Sequence, residues 1–196
     1  MFYALRNLFA LIGFCVVVVA IYATVKMSPM LEAFDAFDER AIDVYSEMME
    51  KVLETGNAAE ATVWKVQVNE DLSVEDVEET MKFVANEHNI KNVGELPLSG
   101  QIEAMTGAKS RFLKIYMFCN ALTAAQMLEH SDSYSAYLPC RVSLVEDKQG
   151  KLWLYSLNMD AMIYGGTPLP AALKEEAEGV KEIILDIMNR GAEGDF

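Results

Sequence analysis

The sequence predicts an α+β fold, a single sheet with helices packed on one face, preceded by a transmembrane helix and an amphipathic stalk helix. Three observations carry this. The stretch Asn7–Val25 runs for 19 residues without a charge. Beyond it, segments alternating every second residue are interleaved with segments repeating every three or four, the periods of strand and helix. Two of the strand segments flank Asp147-Lys148-Gln149-Gly150, a hairpin turn in which Gly150 supplies the positive φ. The division that follows is residues 1–26 as anchor, 27–57 as stalk and 58–196 as α+β domain.

As a helix, Asn7–Val25 spans roughly 28 Å, about the thickness of a bilayer's hydrocarbon layer. Its β-branched residues are no obstacle, because lipid forces every backbone group into internal hydrogen bonds. A cleaved signal peptide is the competing reading, but the apolar run exceeds a usual signal core and Ile21 fits a cleavage site poorly. Phe14 before Cys15 argues against a lipoprotein. Arg6 and the amino terminus precede the span and Lys26 follows it. In a bacterial inner membrane that bias places the C-terminal domain in the periplasm.

After Pro29, the residues Leu31, Phe34, Phe37, Ala41, Tyr45, Met48 and Val52 recur at helical spacing among acids, up to Gly56. This stalk either packs on the domain or pairs with another subunit. "TVWKVQV" from Thr62 alternates as a strand. Ser73 and Asp76 then form a capping box, with Leu72 stapling towards Val77, for a helix whose apolar face runs through Val74, Val77, Met81, Val84 and His88. "VGELPL" reads as a short strand that Pro97 confines to an edge or a distortion. "RFLKIYMF" is apolar on both faces, as a central strand is. Thr123 with Gln126 predicts a helix start, followed by the hairpin "RVSLVE"/"KLWLYSL". Thr167-Pro168 opens a last helix with Leu173, Ala177, Val180, Ile184 and Ile187 inward, and Gly191 stops it.

The formal net charge is −14, yet mean hydropathy is +0.12. Residues 1–25 hold only Arg6, so the acidic excess lies entirely beyond the apolar run. An acidic surface without a basic stripe repels phosphate backbones, which excludes nucleic acid as a partner. The expected partners are the membrane, through Asn7–Val25, and a protein or second copy through the stalk.

"FCN" at Phe118–Asn120, "LPCRVSLVED" from Leu138, "GKLWL" and the closing amphipathic helix resemble the bacterial and archaeal family called domain of unknown function 302. The resemblance covers about residues 62–190. It implies a small α+β fold with a TATA-binding-protein-like arrangement, dimeric in some members, and brings no established activity. Ala121 stands where many members have proline. The resemblance also implies that both cysteines recur in many relatives, cytosolic ones included.

Cys119 ends one strand and Cys140 opens the next, so both fall at one sheet edge if those strands are antiparallel neighbours. They read as a disulfide or redox-sensitive pair, as buried apolar cysteines, or as soft ligands; a bridge needs Cα atoms within about 7 Å. Arg141 next to Cys140 favours a thiolate, but the spacing is not Cys-x-x-Cys. The weak metal candidates are Cys119, Cys140, His130, Met159 and Met162, the methionines as thioether ligands for Cu(I) or haem. His88 reads as a core or capping residue. Glu95, Asn120 and Arg141 are ligand-binding candidates, and Glu95, if buried, is an acid of raised pKa. No catalytic motif is present and no cofactor is favoured. The expected function is a membrane-anchored, non-catalytic binding or accessory module, a candidate subunit of a larger membrane assembly. The alternative is a periplasmic thiol- or metal-dependent redox protein using Cys119 and Cys140.

Overall fold

In the computed structural model, which describes residues 2–196, five strands form one antiparallel sheet: β1 (Val63–Gln67), β2 (Lys91–Leu96), β3 (Leu113–Cys119), β4 (Cys140–Glu146) and β5 (Leu152–Leu157). Their spatial order is β1-β5-β4-β3-β2. Helices α4 (Val74–Glu87) and α8 (Ala171–Glu193) pack together on one face. The core between them and the sheet holds Val77, Met81, Val84, Tyr116, Phe118, Val142, Leu144, Leu154, Ile184 and Ile187. Tyr116 and Phe118 of β3 and Val142 and Leu144 of β4 enter this core at the period of two that a strand imposes.

α1 (Phe2–Asp35) is continuous through Pro29 and exposed along its apolar length. From Phe9 it has mean hydropathy 2.3 over its most apolar window, enough to cross a bilayer; a signal sequence has the same profile. The expected stalk is not one helix. The chain turns at 36–40 before α2 (Ala41–Thr55), which Gly56 caps in the left-handed region at φ 65°, and a one-turn helix, α3 (Ala58–Ala61), follows. The turn is pinned to the domain. The Asp38 amide donates to the Gly166 carbonyl at 2.8 Å, and the Asp38 carboxylate, its side chain 2% exposed, pairs with Lys174 at 2.6 Å. Lys174 and the Arg40 N–H hold the Asp38 pKa below its usual value although burial, the largest single influence, pushes it up.

Ser73 caps α4 through the predicted capping box: the Asp76 N–H donates to Ser73 Oγ at 3.1 Å, and the Asp76 carboxylate accepts from the Ser73 N–H at 2.9 Å. His88 is the C-terminal cap of α4 rather than core, with Nε2 2.6 Å from Asp186. Strand β2 is an edge, bulged between Asn92 and Gly94, and Pro97 caps α5 (Leu98–Thr106), a helix the sequence reading did not expect. Asn120, not Thr123, is the N-cap of α6 (Ala121–His130); its side-chain oxygen accepts from Leu122 and Thr123. A short 3-10 helix (Asp132–Tyr137) leads into β4. The hairpin is as expected, with Gly150 at φ 82°. After α7 (Asp160–Tyr164), α8 begins beyond Pro170 rather than at Thr167. It runs through Gly191 to a left-handed cap at Gly194, because Gly191 is needed where α8 crosses Met81 and Leu154.

Candidate functional site

Where β3 ends, β4 begins and β5 ends, the sheet edge, α6, the 3-10 helix and α8 leave an apolar pocket. Phe118, Met127, Tyr134, Cys140, Met159 and Met162 wall it. The space between its walls, counted out to the mouth, is about 710 Å³, but the part wide enough for the centre of a water molecule is only about 50 Å³. It is therefore a narrow slot, and its methionines are the side chains best able to re-pack around an occupant.

Both sequence-flagged cysteines border this slot, as free thiols. The register explains their relation. Cys140 pairs with Phe118, so Cys119 stands one position further on, beside β2 residue Lys91. Pleating sends neighbours on a strand to opposite faces, so Cys140 shares the helix-covered face with Phe118 while Cys119 is directed to the other. Such a pair is adjacent but poorly aimed for a bridge. Burial, and then the neighbouring Cys119, push the Cys140 thiol up to about 11; Arg141 opposes this and is outweighed. At neutral pH Cys140 is a protonated thiol, the reverse of the activation its neighbour Arg141 suggested.

Asn120, Arg141 and the thioether candidates Met159 and Met162 also border the slot. His130 is exposed, with its ring 6.1 Å from that of Tyr134, and does not border the slot. Among the described residues no three of His, Cys, Asp or Glu cluster as metal ligands; a soft site here would have to be built from sulfur. Met127, Tyr134 and Asn158 are slot residues the sequence reading missed. They sit on three separate elements, so no spacing pattern links them.

Glu95 lies elsewhere. Its carboxylate bridges Lys82 and Lys114, each at 2.8 Å, and Lys114 also meets Glu78 at 3.0 Å. Burial works against its ionisation and is the largest single influence, but the two lysines together bring its pKa down to about 2. Glu95 is thus an ion-pair member and not an acid of raised pKa. The fully buried Tyr116 hydroxyl beneath this cluster has no hydrogen-bond partner among the described residues; burial and the nearby Glu78 carboxylate raise its pKa.

Comparison with known proteins agrees with this architecture. The family model described as "Domain of unknown function DUF302" matches residues 64–191. The chain belongs to the DUF302 family. A crystal structure of an uncharacterized conserved DUF302 protein from Bacillus stearothermophilus superposes with a TM-score of 0.54 at 16% identity. The match covers 66% of this chain and 97% of that one. At that identity the likeness speaks for the fold alone. The DUF302 match starts within β1 and ends within α8, so α1 and α2 lie outside it. No curated protein matches the sequence.

Proposed function

We propose that this DUF302 protein is a membrane-tethered, non-catalytic binding module, anchored by α1 in a bacterial inner membrane with its domain in the periplasm, and that the slot beside Cys140 takes its ligand. The observation that carries the reading is the chemistry of the slot. Its walls are apolar, and among the described residues Arg141 is the one charged residue bordering it, at the sheet edge and, one residue on from Cys140, directed to the other face of the sheet. Arg141 forms no ion pair among the described residues, in a chain of net charge −14. Asn120 and Asn158 spend their side-chain oxygens on the backbone N–H groups of Leu122, Thr123 and Asp160, leaving their amino groups as donors. Apolar walls with a rim of donors suit a slender apolar molecule ending in an acceptor or an anion. A protonated Cys140 is a wall group rather than a nucleophile, which favours binding over thiol chemistry.

Octanoate is a suitable probe anion, followed by thermal shift on the full chain in detergent below the probe's own micelle concentration. A saturable stabilisation, lost in Met127→Trp and weakened in Arg141→Gln, is expected. An equal response in wild type and Met127→Trp refutes the slot as the site. A stoichiometric metal in the purified protein, or thiols that cycle with reductant, would put the redox reading in its place. Resistance of the full chain to alkaline carbonate extraction tests the anchor separately.

A further inference from the structure

The outer face of α2 is a second apolar stripe. Ala41 and Val44 are buried against the domain, whereas Ile42, Tyr45, Met49 and Leu53 are 65%, 45%, 58% and 78% exposed. With Phe34 at the end of α1, these residues line one open groove, which Ser46, Glu50 and Glu54 also border. Their spacing of three and four residues over three turns is that of a helix–helix seam, not of a solvated face. Of the stalk's apolar repeat, Met48 and Val52 lie nearer the domain, while Phe34 and Tyr45 belong to this stripe.

We infer that the stripe is a self-association surface, occupied by α2 of a second copy of this chain. The inference rests on α1 as a membrane anchor. Three features favour a second copy. Anchored copies share one bilayer, which raises their effective concentration, so a seam too small to hold a pair in dilute solution suffices there. Both anchors entering one membrane the same way restrict the symmetry to a two-fold axis along the membrane normal, which makes the contact self-complementary. The acids Asp43, Glu47, Glu50 and Glu54 all fall on one flank of α2, about 100° or more round from Met49, and Ser46 and Leu53 edge the seam on that side. In a parallel pair this axis turns the acidic flank of each copy towards the domain flank of the other, so like charges do not meet. The same acidic flank disfavours α2 lying on an anionic lipid surface.

Disulfide trapping in vesicles tests the pairing. In a Cys15→Ala background, Leu53→Cys and Met49→Cys are oxidised in the full chain at low protein-to-lipid ratio, with Glu47→Cys as control. The seam predicts a species of twice 21.9 kDa for the first two, at least about five times more abundant than for the control, and its loss when Ile42→Glu is added. Equal trapping at all three positions means random collision and overturns the inference. So does carbonate-resistant protein that traps at none of them, or trapping to another protein. Protein released by carbonate overturns the anchor as well, and the two failures are thereby distinguished.

Discussion

Two glycines in α8 should respond in opposite directions to the same change. Gly179 has no described residue within 4 Å of where a Cβ would sit, its own helix backbone and chain neighbours aside. Alanine there restricts the unfolded chain and improves helix propensity, for a gain of about 0.5–1 kcal/mol. Gly191 gains the same propensity, but its Cβ would stand 2.6 Å from Met81 Cγ and 3.5 Å from Leu154 Cδ1. Met81 is 0% exposed, and its Cγ lies mid-chain, so it cannot swing aside as a side-chain tip would. Overpacking of such a site costs about 1–3 kcal/mol, which exceeds the propensity gain and leaves a net loss of about 1 kcal/mol. For a protein of this size each change shifts Tm by about 2–4 °C, upward for Gly179→Ala and downward for Gly191→Ala. Intrinsic fluorescence of Trp64 and Trp153 during thermal unfolding of the full chain in detergent reads this directly. If Gly191→Ala proved as stabilising as Gly179→Ala, the close packing of α8 on α4 would be refuted.

The lysine-held Glu95 makes a pH prediction. Its folded pKa of about 2 lies below the ordinary 4.5, so its contribution is full above pH 4.5 and is lost as pH falls towards 2. Glu95→Gln should therefore cost about 1–2 kcal/mol at pH 7, after allowance for solvent screening, and progressively less as pH falls from 4.5 through 2; parallel urea midpoints across that window would contradict it. Gly150→Val places a β-branched residue at φ 82° and should cost about 1 kcal/mol or more, whereas Gly150→Asn should cost less; equal melting points would dismiss the turn. Alkylation of the denatured chain without reductant should modify Cys15, Cys119 and Cys140 alike. In the folded chain Cys140 should react slowly at pH 7 and faster towards pH 11; a mass two protons short of the free-thiol form would reveal a bridge instead.

Local patterns were legible wherever the interaction that shapes them is local. The Ser73 capping box, the Gly150 turn, the strand alternation of β1 and the apolar run of α1 depend on neighbours within a few residues, and all were read from the sequence. The inward face of α8 was read for the same reason. Its ends were not, because Gly191 signals a stop in isolation, and only the approach of Met81, far away in sequence, makes it a packing glycine. Tertiary structure likewise decided the sign of the Glu95 shift, which depends on Lys82 and Lys114 arriving from two other elements. It set the relation of the two cysteines through a single register offset, Cys140 standing opposite Phe118 rather than Cys119. The slot and the divided apolar arc of α2 belong to the same class. A sequence shows which residues avoid water, but which of them find cover within the chain depends on contacts between elements remote along it.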